Sequence, residues 1–281
     1  MRFKKLYFLI SGILLIPGII SLALFGLKPS IDFTGGTLWE IRPEREIETN
    51  QLDFEFSSVQ KTEGNTLLFK MKPINEEEKN KIKNKLTERF GQIEEIRFET
   101  VGPTLGRELL RKTLIAVVLA AGFILVYVAY RFKDKMYGIC AILAMFHDTL
   151  ILLGSFSLLG HFLGVEVDTL FVTAVLTILS FSVHDTVVTY DSIRTAVKQN
   201  PKAKFAEIIN TAINQTLIRN LNNSLTIIFM LLALVLLGGS TIRWFAVALL
   251  IGTIAGTYSS IFVATPLLLV CRKLEKRKRP E

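Results

Sequence analysis

The sequence predicts an α-helical polytopic membrane protein with six transmembrane helices and a small extracytoplasmic α/β domain between the first and the second. Three observations carry that expectation. Of the 281 residues, 50% are hydrophobic, and they are gathered in runs instead of being spread as in a soluble domain. Six runs are long enough to cross a hydrocarbon layer, which takes about 20 helical residues. One polar stretch of domain size, residues 28–111, separates the first run from the second.

The spans are expected at residues 6–27, 113–130, 136–159, 169–190, 221–238 and 244–271. The first is longer than a signal-peptide core, and no small-residue cleavage site precedes Asp32, so it reads as a retained signal-anchor. The chain then divides into residues 1–27 (cytoplasmic N-terminus and first span), 28–111 (extracytoplasmic α/β domain), 112–271 (five-helix bundle with a cytoplasmic amphipathic loop near 195–218) and 272–281 (basic tail). The net charge of +8 points to topology, not to nucleic acid. Arg2, Lys4 and Lys5 precede the first span, and Arg131, Lys133 and Lys135 lie between the second and third. Arg194, Lys198, Lys202, Lys204 and Arg219 lie between the fourth and fifth, and six basic residues from Arg272 to Arg279 follow the last. The loop 160–168 has no Lys or Arg, and 239–243 has only Arg243. This is the positive-inside pattern with both termini cytoplasmic. The tail is a topology anchor, with contact to acidic lipid or to the ribosome as the lesser reading. Cys140 and Cys271 fall in spans and read as packing residues, not as a disulfide framework.

Within 28–111, residues 37–42, 51–60, 66–72 and 93–101 read as strands, with a turn over 62–65. Asn75 with Glu78 three residues on has capping-box spacing, Ile82, Leu86 and Phe90 continue one apolar helix face, and Gly91 stands where a helix-ending glycine belongs. The result is one sheet with at least one helix on it. Val101-Gly102-Pro103-Thr104-Leu105-Gly106 marks a turn into the second span, read as a hinge or as a coupling of domain motion to the helix. In 200–216, Phe205, Ile208, Ile209 and Ile213 form a stripe that reads as an interfacial helix lying on the membrane. Ala248, Gly252, Gly256, Ser260 and Ala264 recur at steps of four in the last span. That ridge of small residues, with Gly252 and Gly256 at its centre, lets a partner helix approach closely, in this chain or another.

Asp185 carries the chemical interest. A carboxylate inside a bilayer costs roughly 2.5–3.5 kcal/mol on insertion scales and persists when it faces protein or water. On a helix Ser182, Asp185, Thr189 and Ser192 share one polar face, with Val183, Val187 and Ile193 opposite. Arg219, Asn223 and Thr226 share a face at the mouth of the fifth span. Arg219 can reach across to Asp185, and three readings stand: a carboxylate that loads and releases a proton as its partner moves, a static ion pair that sets helix register, or an arginine that snorkels to the interface. Asp148, with Ser155 on its face, is the other acid in a span. Asp148 and Asp185 each follow a histidine, His147 and His184, but neighbours on a helix point about 100° apart, so neither pair is read as a facing dyad or as a metal site. There is no Gly-x-Gly-Asp of an intramembrane protease, no phosphate-binding glycine loop, no nucleophile elbow and no zinc spacing. The chain therefore reads as no enzyme and as having no cofactor. Asp32, Gly35 and Gly36, just after the first span, suggest a tight turn at the membrane surface.

Four of these patterns together are similar to the SecD/SecF family of protein-export membrane proteins, on its SecF side: Asp32-Phe33-Thr34-Gly35-Gly36, Val101-Gly102-Pro103, Ser182-Val183-His184-Asp185-Thr186-Val187-Val188 and Asn214-Gln215-Thr216-Leu217-Ile218-Arg219. They come in the family's order on its six-span topology. The resemblance implies a chain in the bacterial cytoplasmic (inner) membrane that pairs with a six-span SecD as one unit of the resistance-nodulation-division superfamily. That unit assists the SecYEG translocon, drawing the translocating polypeptide outward after SecA has pushed it in, at the expense of the proton gradient. YajC is a further candidate partner, and membrane lipid surrounds the whole. The resemblance makes Asp185 the proton-handling carboxylate and Arg219 its basic partner, with Asp148, His184, Thr189 and Asn223 as auxiliary polar groups. It places Asp32, Gly35 and Gly36 at the SecD interface or the membrane exit. His184 departs from the asparagine of many relatives, and the segment between Arg42 and Gln51 is shorter than theirs. A carboxylate handles a proton or a sodium ion alike. Two rival readings are half of another exporter of the superfamily, whose exported domains are usually larger, and a passive translocon scaffold, in which neutralising Asp185 changes export little.

Overall fold

The computed structural model describes residues 4–44, 56–62, 66–132 and 134–278. They fall into two units, Pro29–Ile115 and Met1–Lys28 with Ala116–Glu281. The first helix, α1 (Lys4–Phe25), belongs to the second of these.

The unit Pro29–Ile115 opens with a single helical turn, α2 (Ile31–Thr34), capped by Ser30, whose hydroxyl accepts from the Asp32 amide at 3.2 Å. Four strands follow: β1 (Gly36–Pro43), β2 (Ser58–Thr62), β3 (Thr66–Met71) and, after helix α3 (Glu76–Phe90), β4 (Ile93–Val101). All pairings are antiparallel and the order is β2-β3-β1-β4. The sheet has the expected strands at 37–42, 66–72 and 93–101 within a residue of those bounds. Positions 51–55 of the expected second strand and 63–65 of the expected turn lie outside the described residues. Trp39 in β1 faces Phe69 in β3 and Phe98 in β4, its direct cross-strand partners. Helix α3 covers this face with Leu86 and Phe90, and Trp39, Ile41, Phe69 and Leu86 are fully buried. Burying an aliphatic or phenylalanine side chain of this kind contributes about 1.5–3 kcal/mol. The pairing of β1 with β4 shifts between Glu40 and Ile41, so β4 carries Ile96 as an extra, unpaired residue of a bulge. Helix α3 starts with a full capping box between Asn75 and Glu78 and stops at Gly91, whose φ of +85° suits a residue without Cβ. Lys79 bonds Glu95 at 3.3 Å and Glu76 at 3.1 Å. Burial pushes its ammonium pKa down, and the hydrogen bonds and charges of the two glutamates outweigh this, leaving it above the usual 10.5.

The other unit is made of α1, the later part of α4 (Pro103–Arg131), α5 (Lys135–Leu163), α6 (Thr169–Gln199), α7 (Phe205–Leu237), α8 (Ser240–Ser259), a π-helical turn (Ser260–Ala264) and α9 (Thr265–Lys278). Six helices are long and apolar enough to cross a membrane, the sixth being α8, the π-turn and α9 in continuation. Helices α5, α6 and α8 form the core, with Cys140, Leu152, Ala174 and Ala248 sealed from solvent. Along α4 and the second half of α7 the large side chains point outward: Phe123 is 72% exposed and Leu237 is 88% exposed. Such faces suit lipid or another protein.

Small residues set the close helix contacts. A Cβ on Gly154 (α5) would lie 2.6 Å from the Gly18 Cα of α1, and beside this crossing Ser21 donates to Ser157 at 2.7 Å while Ser157 donates to the Gly26 carbonyl at 2.7 Å. A Cβ on Gly252 (α8) would fall 2.3 Å from Ile178 Cγ1 of α6, so the partner of the small-residue ridge is a helix of this same chain.

One expectation is corrected here. Residues 205–216 are not a separate interfacial helix but the opening turns of α7, which runs unbroken over 33 residues. No Gly or Pro interrupts it, and its stripe of Phe205, Ile208, Ile209 and Ile213 packs into the helical core. Cys140 and Cys271 are free thiols packed in the helical core, as expected, with their sulfurs 3.6 Å apart where α5 meets α9.

Candidate functional site: two acids inside the helical unit

Asp185 lies midway along α6 and is 6% exposed. Its polar face forms as the helical spacing requires. Ser182 and Thr189, one turn before and one turn after, are buried, and Thr189 Oγ1 accepts from Asn220 Nδ2 of α7 at 3.4 Å. Val183, Val187 and Ile193, opposite, are buried against other helices. Asp185 Oδ2 has no hydrogen-bond partner among the described residues, and neither has the Thr186 hydroxyl beside it. The carboxylate borders a groove of about 620 Å³ between α6 and α7, lined also by His184, Arg219, Asn223 and Thr226. A second groove of about 480 Å³ shares Val188 and Arg219 with the first and adds Ser192, Thr195, Gln199 and Gln215. The seam between α6 and α7 is thus a polar track about four turns long. Arg219 is exposed in it, and among the described residues no carboxylate stands within ion-pair distance of its guanidinium. Asp185 and Arg219 share the groove without touching. Less than two turns beyond Asp185, Asp191 borders the second groove and is paired with Arg131 of α4 and, at 3.4 Å, with Arg194.

Asp148 on α5 has the opposite surroundings. It is wholly buried, and its Oδ2 accepts from Ser182 Oγ of α6 and from Ser259 Oγ of α8, both at 2.6 Å. That length belongs to hydroxyl-to-carboxylate bonds. Its Oδ1 is 2.9 Å from His147 Nδ1. The expectation that a histidine and the aspartate after it cannot meet is therefore wrong for this pair. Their Cα–Cβ vectors diverge, yet both side chains have enough reach to bend together over the helix surface. Ser155, expected on Asp148's face, is not among its partners; the serine of α5 that bonds across helices is Ser157. Gly256 makes room for the acid, since a Cβ there would sit 3.6 Å from Asp148 Oδ2. The π-turn starts immediately after Ser259, and its last carbonyl, on Ala264, accepts from the buried Tyr190 hydroxyl of α6 at 2.8 Å. Ser182, Ser259 and Tyr190 are the site residues that spacing alone does not bring together. Spacing places Ser182 on the Asp185 face without its link to Asp148; for Ser259 and Tyr190 the only signal is polarity in otherwise apolar spans.

The Asp32–Gly36 pattern forms a separate cluster in the sheet unit. Gly35 has φ +75°, and a Cβ on it would lie 2.8 Å from Pro103 Cα; a Cβ on Gly106 would lie 2.9 Å from the Gly35 nitrogen. Two patterns some seventy residues apart in sequence therefore seal against each other, backbone to backbone.

Six membrane-crossing helices with two acids inside their apolar layer, and a small α/β unit set between the first and second, define a polytopic membrane protein with ionisable groups held within its span. Residues 81–274 match the family model of the protein export membrane protein SecD/SecF C-terminal domain, and residues 20–45 match that of the SecD/SecF GG motif. The chain belongs to the SecD/SecF family. It is 42% identical over 95% of its length to the protein translocase subunit SecF of Thermobaculum terrenum, covering 92% of that protein. It is 39% identical to the SecF of Anaerolinea thermophila over 98% of this chain and 94% of that one. The crystal structure of SecDF, a translocon-associated membrane protein from Thermus thermophilus, superposes with a TM-score of 0.85 at 34% identity, over 97% of this chain and 39% of that one. A SecDF structure in a super-membrane-facing form gives a TM-score of 0.70 over 99% of this chain and 38% of that one.

Proposed function

We propose that this chain is the SecF-type accessory subunit of Sec-dependent protein translocation, working with a SecD-type chain, and that it draws on the proton motive force through Asp185. Relatives in which the matching segment is about a third of a longer SecDF protein support the partnership: the chain covers 38% of the Bacillus subtilis SecDF and 35% of the Thermus thermophilus one. The observation that carries the proton reading is the state of Asp185. Its buried Oδ2 has no partner, and it opens onto a polar groove that holds an exposed, unneutralised arginine. A carboxylate with a structural role would be hydrogen-bonded. One that loads and releases a proton needs access to a polar path and a cation that can approach and withdraw. Arg219 is that cation, and His184, Thr189 and Asn223 line or brace the path. In this reading both termini face the cytoplasm, where the basic residues gather, in the bacterial inner membrane. The sheet unit then lies outside and handles polypeptide emerging from the SecYEG channel after SecA has acted. The Asp32–Gly36 seam sits at the SecD interface, and the chain makes and breaks no covalent bond of its substrate.

The test is export of a secreted reporter by vesicles carrying the complex, with and without an imposed proton gradient, at matched protein level. Asp185→Asn is expected to abolish the gradient-stimulated part alone. Unchanged export would make Asp185 a packing residue and the chain a scaffold.

A further inference from the structure

Asp148 is the acid that the reading above leaves without a task. It receives three donors on two oxygens: Ser182 and Ser259 on Oδ2, and His147 on Oδ1. With Asp148 ionised the carboxylate only accepts, so in that state Nδ1 is the protonated nitrogen of the imidazole and Nε2 carries the free lone pair. That Nε2 is buried and has no partner among the described residues. A basic nitrogen aimed at nothing, backed by a carboxylate on the other side of the same ring, is the arrangement of a proton acceptor.

We propose that His147 and Asp148 form a second proton-binding site, loaded at His147 Nε2 and storing the proton on Asp148, whose occupancy reaches Asp185 through Ser182. This rests on the reading of Asp185 as the coupling carboxylate. The step balances within the pair. A proton bonds to Nε2, the Nδ1–H bond breaks, and an Oδ1–H bond forms. The imidazole is neutral before and after with its tautomer reversed, and the pair goes from a net charge of −1 to 0. Oδ1 then donates to Nδ1, and the two serine bonds on Oδ2 change from charge-assisted to neutral, roughly halving in strength.

That change is well placed to move α6. Helix α6 is tied to the α8–α9 segment on both sides of Asp185: before it, where Ser182 and Ser259 meet on Asp148, and after it, where Tyr190 holds the Ala264 carbonyl. Between the two ties on the opposing strand of chain lies the π-turn Ser260–Ala264, a segment in which helical register is readily shifted. Loosening the first tie frees one turn of α6 ahead of Asp185. The charges also couple directly, since Asp148 is among the groups that act electrostatically on Asp185. From α6 the ionisable group coupled to the pair is Asp185; His184 acts in turn on Asp185 and lines the α6–α7 groove. Helix α8 presents Ser259 and Gly256; its ionisable residues are Arg243 in the first turn and Tyr258, bonded to the Tyr7 carbonyl. Past Lys5, helix α1 has only Tyr7, which packs on Phe262, and α9 begins its charged residues at Arg272.

The test is an infrared pH titration of the full chain in phospholipid vesicles, following carboxyl bands that exchange deuterium slowly. Wild type is expected to show two such bands. Asp185→Asn removes one, adding Asp148→Asn removes the other, and His147→Gln moves the second band, since the amide removes its imidazole partner. An Asp185→Asn protein with no remaining band that depends on Asp148 overturns the proposal. Where Asp148→Asn does not accumulate, Ser259→Ala on the Asp185→Asn background keeps the acid and removes one donor; a second band that ignores this change does not belong to Asp148, which also overturns it. Gradient-driven export read on the same variants separates the two ideas. Unchanged export in Asp185→Asn sinks the coupling role of Asp185 while the second band stands or falls independently.

Discussion

Asp148 and Asp185 lie on neighbouring helices, and both are nearly sealed from solvent, yet their surroundings are opposed. Asp148 is met by partners from three helices, α5, α6 and α8. Asp185 has an oxygen without a partner and a polar groove in front of it. Burial alone therefore says little about what an intramembrane acid does. What distinguishes the two is whether the protein satisfies the carboxylate or leaves that to something that comes and goes. The satisfied acid ties helices together and, in the proposal above, exchanges its proton through His147; the unsatisfied one is held in place by packing around it and borders the polar groove directly.

The sharpest way to break the comparison is to remove each acid in turn. Asp148→Ala strands Ser182 and His147 at about 1–3 kcal/mol each, while Ser259 keeps the Gly256 carbonyl at 3.2 Å, so thermal unfolding of the purified chain should show a loss of several kcal/mol. Asp185→Ala strands none, and the same measurement should give a change below about 1 kcal/mol despite similar burial. Equal losses would mean that Asp185 has structural partners after all. Next in size is the packing that holds the two acids at their spacing. Gly252→Ala drives a methyl into Ile178 between α6 and α8 and should cost about 1–3 kcal/mol, whereas Gly256→Ala, with its nearest neighbour 3.4 Å away, should cost clearly less and act mainly on the Asp148 band.

The contrast between the two acids was only half legible in the sequence. Asp185 announced itself, because a charge in an apolar run with polar residues at helical spacing is a local signal. So were the six spans, the capping box at Asn75 and three of the four strands. Asp148's role was hidden, since its partners are 34 and 111 residues away and are plain serines. The His147–Asp148 contact depends on side-chain torsions, which helical periodicity does not report. The opening of α7 misled for a physical reason: an amphipathic stripe next to a span looks the same whether it lies on lipid or on protein. The π-turn lies just ahead of Pro266, which has no N–H to bond back and crowds the Phe262 carbonyl; that local mark was there to be read.

Smaller effects belong to the sheet unit, where the interactions are exposed and the comparison is with a solvated site. Asn75→Ala removes the N-cap of α3 and should lower the unfolding midpoint by the equivalent of about 1 kcal/mol. Lys79 should give the mildest change. Its pKa is raised by the fold, so its contribution is fully present below the usual lysine value of 10.5 and is lost as pH rises through the higher folded value. Fluorescence of Trp39, whose indole bonds the same Glu95, should report a loosening only at that alkaline limit, and Lys79→Met should abolish that pH step.

The seam at Gly35 and Gly106 has a consequence for how the sheet unit is built into the chain. The strand that leaves α2 and the helix that follows β4 meet at backbone distance, so the chain enters and leaves this unit at one doorway. A module closed in that way is a cassette. Its interior can be lengthened, shortened or exchanged while the doorway keeps its shape, provided that both glycines stay bare. Chimeras that swap residues 37–101 as one block should therefore be tolerated, while a single methyl group at the doorway should not.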